Sequence, residues 1–152
     1  MGALLIRGDS TAACYWNQHE KTKNVMRGQW LYTGDTYYQD AEGYFWYGGR
    51  ADDMLKVGGQ WVSPAEVEGA LIAHPAVLEA AVVGASDTGG LIKPKAYIVL
   101  QNGYQPSEEL ANELKTFVKG RLVPFKYPRW VEFVPELPKT TTGKIQRFAL
   151  RG

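Results

Sequence analysis

The sequence predicts an α+β fold, in which a β-rich segment precedes a two-stranded hairpin and a small three-stranded sheet with flanking helices. Two observations support this prediction. Residues 51–152 show helical and strand patterns in the order helix, strand, strand, helix, strand, helix, whereas residues 1–50 hold short apolar runs bounded by glycine. The composition, 45% hydrophobic and 22% charged over 152 residues, is that of an ordinary globular protein. We therefore divide the chain into residues 1–50 and 51–152.

Residues 1–50 are predicted to form strands without a core of their own. Apolar runs predict strands at 3–8 and 29–34, and the polar stretch 10–28 between them is predicted to be irregular. The run from Tyr37 to Tyr47 predicts a hairpin that turns at residues 40–43. These strands have nothing in the segment to pack against, so we expect the edge of a larger domain. The dense aromatic residues between positions 30 and 61 then indicate an interface.

The second part begins with a hairpin and a well-marked helix start. Residues 54–62 predict two short strands around a turn at Gly58 and Gly59. Ser63 is the expected N-cap of the following helix, with Pro64 at its first position and Glu66 completing a capping box. We expect this helix to end at His74 and Pro75.

The remaining elements complete the small sheet. Strands are predicted at 80–85, 94–100 and 129–134. Ser107 is expected to cap a long amphipathic helix with apolar residues at helical spacing from Leu110 to Leu122. A loop at 138–144 and a short helical tail at 145–150 follow.

Charge and cysteine content exclude several classes of protein. A net charge of +1 without a run of Lys and Arg gives no sign of nucleic-acid binding. The single cysteine, Cys14, excludes an internal disulfide and is typical of a reducing compartment. No apolar stretch is long enough to span a membrane, and the first residues do not resemble a signal peptide. These observations predict a soluble, cytoplasmic protein.

The stretch "PKTTTGK" at 138–144 is the first candidate site. A Walker A loop requires glycine where Pro138 stands and Ser or Thr where Ile145 stands, so the sequence is not a P-loop. A lysine on a mobile loop beside glycine can neutralise charge that develops on phosphate or carboxylate oxygens, which makes Lys144 a catalytic candidate. The threonines at 140–142 can form turns that fix the loop, so they need not touch a ligand. The alternative is a solvated surface turn.

Two further motifs precede this loop. In "YTGD", Asp35 ends a predicted strand, where its carboxylate either accepts hydrogen bonds from a ribose diol or caps its own turn. In "GRADD", Arg50 precedes the adjacent carboxylates Asp52 and Asp53. Adjacent carboxylates do not face one another, and no His or Cys lies nearby, so we expect neither an acid/base pair nor a metal site. The position instead suggests a hinge.

These motifs, "YTGD", "GRADDMLKVGGQWVSPAEVE" and "PKTTTGK", in this order, resemble the C-terminal end of the adenylate-forming enzymes. That superfamily contains acyl-CoA synthetases, peptide-synthetase adenylation domains and firefly luciferase. The stretch from Ala51 to Glu68 resembles the benzoate–CoA ligase group in particular. The resemblance covers essentially the whole chain and implies a C-terminal lid domain preceded by a strip of the N-terminal domain. The nucleotide-binding loop and the acyl pocket of the family lie in the absent N-terminal domain, so we expect this chain alone to be inactive.

The resemblance assigns expected roles to individual residues. Asp35 would bind the ribose hydroxyls of ATP, and Arg50 its ribose and phosphate. Asp52 would be the hinge about which the lid rotates between two half-reactions. Lys144 would bridge the attacking carboxylate and the α-phosphate in the first. Magnesium for ATP would come from the missing domain.

The same resemblance implies a path for CoA and one form of regulation. Gly58 and Gly59 would line the pantetheine tunnel, although the need for a tight turn explains two glycines equally well. Phe125, Lys126 and Arg129 would hold the nucleotide end of CoA by stacking and charge. A lysine acetyltransferase acting on Lys144 would remove the charge used in catalysis.

We therefore expect part of an ATP-dependent aryl-CoA ligase that converts a carboxylate, ATP and CoA into acyl-CoA, AMP and pyrophosphate through an acyl-adenylate. Benzoate or a related aromatic acid is the expected substrate. One alternative is an adenylation domain that loads a carrier protein. Another is a non-catalytic module that docks a partner through its aromatic face.

Overall fold

The computed structural model describes residues 1–151 and divides into two units. One unit is Met1–Asp52, and the other begins at Asp53. The sequence placed this boundary between residues 50 and 51.

The first unit is an antiparallel sheet organised around one long strand. Its elements are β1 (Gly2–Ile6), α1 (His19–Val25), β2 (Met26–Arg27), β3 (Trp30–Gln39) and β4 (Phe45–Arg50). All three other strands pair with β3. The hairpin between β3 and β4 closes through the Asp40 carboxylate, which accepts from the amides of Glu42 and Tyr44.

Two predictions for this unit are wrong. Residues 19–25 were expected to be irregular but form α1, which buries none of its residues and therefore leaves no apolar stripe in the sequence. Its fixing contacts are local: the Thr22 hydroxyl accepts from the Tyr15 amide at 2.9 Å, and Lys21 lies over the Tyr15 ring. The strand predicted to end at Gly34 continues to Gln39, so Asp35 lies inside β3 rather than at a turn.

The second unit contains the expected hairpin and small sheet. Its elements are β5 (Leu55–Val57), β6 (Gln60–Val62), α2 (Pro64–Ile72), β7 (Val77–Ser86), β8 (Ile92–Leu100), α3 (Glu108–Lys119), a 3₁₀ turn (Pro124–Lys126), β9 (Trp130–Phe133) and a second 3₁₀ turn (Arg147–Leu150). The sheet has the order β7-β8-β9, antiparallel between β7 and β8 and parallel between β8 and β9. Because parallel neighbours need a crossover, α3 lies between β8 and β9 in sequence. The α+β prediction is confirmed.

Both main helices begin at the predicted caps. The Ser63 hydroxyl accepts from the Glu66 amide at 3.4 Å, and the Ser107 hydroxyl accepts from the Leu110 amide at 3.1 Å. The capping box is not completed as predicted, because both carboxylate oxygens of Glu66 accept from Lys126 at 2.7 Å. That partner is distant in sequence and leaves no local signal.

The apolar core belongs to the second unit. Among the described residues, every buried hydrophobic side chain lies at position 55 or later. The helices α2 and α3 contribute Val67, Leu71, Leu114 and Val118, which are fully buried against the sheet. In the first unit the buried residues of the described chain are glycines alone, at 34, 48 and 49.

Candidate functional site

Arg50 and Asp35 form a polar cluster on the first sheet. They lie opposite each other on β4 and β3. The guanidinium donates from Nη1 to the carbonyl oxygen of Thr33 at 2.9 Å and lies 3.4 Å from Asp35 Oδ1. Its Nε lies 3.2 Å from Asp52 Oδ1. Partial burial lowers the pKa of Arg50, but the carboxylates of Asp52 and Asp35 outweigh that effect and raise it. The cation is therefore fixed over β3.

Gly34 makes the placement of Arg50 possible, and sequence reasoning did not single it out. Its φ is +78°, a left-handed value that glycine adopts without strain. A Cβ atom there would lie 2.7 Å from Arg50 Nη2, so a side chain would collide with the guanidinium. The sequence prediction ended the strand at Gly34 and so missed a glycine inside a strand, which often marks a close approach of other groups.

Asp52 and Asp53 are adjacent, and each contacts an arginine of its own unit. Asp52 has a side chain that is 71% exposed and contacts Arg50. Asp53 is only 17% exposed and contacts Arg147 at 3.1 Å as well as Arg151.

The two glycines of the β5–β6 hairpin occupy its turn. Gly58 and Gly59 have φ values of +55° and +84°, as a two-residue hairpin turn of this type requires. Both are exposed, and a Cβ at either would meet no heavy atom of the chain within 4 Å. Within this chain, the conformation of the turn is sufficient reason for both glycines. The space that their Cβ atoms would occupy is open.

Lys144 projects from a closed turn. Lys139 and Ile145 pair as an isolated bridge across the base of the turn. Thr140 donates its amide to the Lys144 carbonyl oxygen at 2.8 Å, and its hydroxyl accepts from the Lys144 amide at 3.1 Å. Thr142 shares a hydrogen bond with the Thr140 hydroxyl. The side chain of Lys144 is exposed, and within residues 1–151 no acidic group forms an ion pair with it.

A groove of about 530 Å³ lies on the second unit. Two of the predicted CoA residues, Phe125 and Arg129, line it, and so does Val57, directly before the glycine turn. Lys93 lines it too, and sequence reasoning missed this residue because β8 lies far from Phe125 in the chain. In the described part of the chain, neither Lys93 nor Arg129 has a carboxylate partner.

Two other polar groups of the groove, on Tyr127 and Asp87, are already engaged. Arg129 donates to the Tyr127 hydroxyl at 3.1 Å, which lowers the pKa of that hydroxyl. Asp87 accepts the amides of Gly89 and Leu91 at 2.9 Å each, so its carboxylate is bound to its own turn. The two cations therefore remain available to an anionic ligand.

Lys126, the third predicted CoA residue, lies outside the groove lining. Its ammonium group lies 2.7 Å from both carboxylate oxygens of Glu66 at the start of α2. This ion pair neutralises the ammonium charge of Lys126, which the sequence analysis expected to bind CoA.

Two negative findings concern the described residues. Residues 1–151 contain no group of three or more His, Cys, Asp or Glu side chains arranged to hold a metal ion. Within the same range, every helix is too short or too polar to cross a membrane.

Comparison with known proteins identifies the family. The AMP-binding enzyme C-terminal domain matches residues 66–144, which is more than half of the chain and ends at Lys144. The chain belongs to this family. The resemblance to adenylate-forming enzymes that the three motifs indicated is therefore confirmed.

Individual relatives of this AMP-binding enzyme C-terminal domain are similar over nearly all of the chain. Benzoate–CoA ligase of Thauera aromatica is 61% identical over 99% of this chain, which corresponds to 28% of the relative. The 4-hydroxybenzoate–CoA/benzoate–CoA ligase of Rhodopseudomonas palustris is 53% identical over 99% of the chain and 28% of its own length.

A solved structure is similarly close. The anthranilate CoA ligase AuaEII in complex with anthranoyl-AMP superposes with a TM-score of 0.94 at 54% identity, over 98% of this chain and 29% of the other. The chain thus spans less than a third of the length of these relatives.

Proposed function

We propose that this chain is the C-terminal part of an ATP-dependent aryl-CoA ligase. The observation that carries the proposal is the exposed Lys144 on a closed turn, at the end of the region that the family model matches. The full protein would join a carboxylate to CoA through an acyl-adenylate, with release of pyrophosphate and then AMP. Support for an adenylate comes from the anthranoyl-AMP held by the similar ligase, and support for an aromatic acid comes from the benzoate named for both relatives.

In the first half-reaction a carboxylate oxygen forms a bond to the α-phosphorus while the bond to pyrophosphate breaks. The ammonium group of Lys144 would neutralise the charge on the oxygens around that phosphorus. Arg50 would contact the ribose and phosphate, and Asp35 would accept from the ribose hydroxyls. The long 3.4 Å contact of Asp35 with Arg50 leaves its carboxylate able to accept those bonds.

In the second half-reaction the CoA sulfur bonds to the acyl carbon, AMP leaves and the thiol proton is lost. We propose that the unit beginning at Asp53 turns about Asp52 between the two steps. Gly58 and Gly59 would leave room for the pantetheine arm, because nothing of the chain fills the space above them.

The groove beyond the glycine turn would receive the nucleotide end of CoA. Phe125 can stack on the adenine, and Lys93 and Arg129 can meet phosphate. We assign Lys126 to its ion pair with Glu66 instead. A cationic groove of this kind favours free CoA over a carrier protein, whose phosphopantetheine lacks the nucleotide end.

The metal, the location and the regulation of the protein belong to the same proposal. Magnesium would be held outside this chain, since residues 1–151 offer no cluster of ligands.

The exposed free Cys14 is typical of the reducing cytoplasm, where we place the reaction. A lysine acetyltransferase could reach the exposed Lys144 and remove its charge. We expect the chain alone to show no turnover.

Lys144→Ala in the full-length protein tests this proposal. Pyrophosphate exchange with ATP and benzoate should fall by about 10²- to 10³-fold, because a charge that stabilises the transition state is lost. Thioester formation from pre-made benzoyl-adenylate and CoA should survive. Lys23→Ala, which removes another exposed lysine, is the matched control and should change neither step. Unchanged exchange in Lys144→Ala would contradict the proposal.

A further inference from the structure

Arg147 lies three residues after Lys144 and forms a network of its own. Its guanidinium donates from Nε and Nη2 to the two carboxylate oxygens of Glu68, at 2.8 and 2.6 Å. From Nη1 it donates to Asp53 Oδ2 at 3.1 Å. The contact with Glu68 is bidentate, which fixes direction as well as distance.

This network is largely shielded from solvent. The side chains of Arg147, Glu68 and Asp53 are 21%, 9% and 17% exposed. Glu68 Oε1 also accepts from the amide of Val82 at 2.8 Å. The hydrogen bonds that Arg147 donates to Glu68 raise the pKa of Arg147 against the opposing effect of burial, so the arginine stays charged. Arg147 therefore connects Glu68 on α2 with Asp53, and Glu68 in turn contacts β7.

The other stem of the Lys144 turn is held by a separate ion pair. Lys139 Nζ lies 2.6 Å from Glu79 Oε1 on β7. The turn is thus attached to the body of the second unit on both sides of Lys144. Lys144 is exposed, whereas the segments on both sides of it form ion pairs with the rest of the unit.

Partly buried ion pairs of this kind are weak evidence of a stabilising role. Removing charges from water costs free energy that their mutual attraction often fails to recover, so partly buried ion pairs are frequently replaceable by apolar contacts. What such a pair does supply is a defined geometry. Here that geometry relates the Lys144 turn to Asp53, the first residue of the second unit.

We propose that Arg147 is a positioning residue for Lys144, which ties the catalytic turn to the start of the second unit through Asp53 and Glu68. The inference rests on the proposed function, because it assumes that Lys144 serves the first half-reaction. It means that Lys144 does not move on a mobile loop of its own. The turn and Asp53 move together when the unit rotates.

Arg147→Met in the full-length protein provides the test, since methionine keeps an unbranched chain but removes the charge. We expect kcat of pyrophosphate exchange to fall by up to about 10²-fold, as displacement of a reacting group by about 1 Å can do. KM for ATP and benzoate should stay unchanged. Thioester formation from benzoyl-adenylate and CoA should stay close to wild type. Arg147→Lys should restore part of the exchange.

Two further variants make the result decisive. Glu68→Gln removes the charge opposite Arg147 while keeping an acceptor for the Val82 amide, and it should show the same selective loss even if Arg147→Met does not fold. Lys95→Met breaks the 2.8 Å ion pair with Glu132 in the same unit and should change neither step.

Equal loss in both half-reactions, or no loss of exchange, overturns the positioning role. The outcome is separable from the proposed function. If Lys144→Ala loses exchange while Arg147→Met and Glu68→Gln keep it, only the inference about Arg147 fails. If Lys144→Ala keeps exchange, the proposed function fails as well.

Discussion

At the scale of single residues, the absence of a side chain at Gly34 leaves the space in which the side chain of Arg50 lies. The Arg50 guanidinium occupies the volume that a Cβ of Gly34 would need. Since the same guanidinium also contacts Asp35, a change at Gly34 reaches the proposed nucleotide site without altering any charged group. The glycine is therefore part of the proposed nucleotide site although it offers no functional group.

We predict that Gly34→Ala in the full-length protein weakens pyrophosphate exchange and raises KM for ATP, because the new methyl group displaces Arg50. It should also destabilise the fold by about 1–2 kcal/mol, since φ is +78° there. Gly28→Ala is the matched control: φ is +64°, but a Cβ meets nothing within 4 Å. It should lower the urea midpoint similarly and leave KM for ATP unchanged. A rise in KM common to both variants would contradict the displacement of Arg50.

Local spacing in the sequence predicted the structural roles of some residues and could not predict those of others. Ser63, Ser107 and the glycine turn were predictable because caps and turns depend on neighbours in sequence. The ion pair of Lys126 with Glu66 was not, since the two are 60 positions apart. The roles of Asp35, Arg50, Asp52 and Lys144 came from resemblance to a family and stay predictions.

At the scale of elements, the groove on the second unit depends on how strands and turns meet. Lys93 stands on β8, whereas Phe125 stands on the 3₁₀ turn after α3, and Arg129 directly precedes β9. Because the register of β8 against β9 brings these segments together, no single stretch of sequence contains the groove. Sequence patterns predicted each strand here, but they missed α1, which has no buried face.

We predict that Lys93→Gln in the full-length protein raises KM for CoA by about tenfold or more, the value of a charge-assisted hydrogen bond. The effect should be smaller with dephospho-CoA, which lacks one phosphate. Lys126→Gln, which breaks the pair with Glu66, should leave the preference for CoA over dephospho-CoA unchanged. If Lys126→Gln changes that preference more than Lys93→Gln does, the assignment of the groove is wrong.

At the scale of the whole molecule, the apolar core is distributed unevenly. All buried hydrophobic side chains of the described chain lie at or beyond Leu55. The first unit instead exposes large aromatic side chains, which include Tyr44, Phe45, Trp46 and Tyr47. The expectation that residues 1–50 lack a core of their own follows from composition and pattern alone, and the burial of side chains agrees with it.

We predict that a chain beginning at Asp53 unfolds cooperatively in urea, because it retains the whole core. A peptide of Met1–Asp52 should show no cooperative transition, since it buries no hydrophobic side chain. Far-ultraviolet circular dichroism during urea titration measures both. A sharp transition in the peptide, or its absence in the longer chain, would contradict this account of the core.

The closed turn at Lys144 also has a consequence for proteolysis. Trypsin cleaves after lysine, and a protease must hold several residues around the cleaved bond in an extended form. The N–H and C=O of Lys144 are both engaged by Thr140, so its backbone is withheld while its side chain is exposed. Cleavage after Lys144 then requires the turn to open first, and its rate reports the population of the opened turn. Limited digestion with trypsin would thus measure how often this turn opens, without any substrate present.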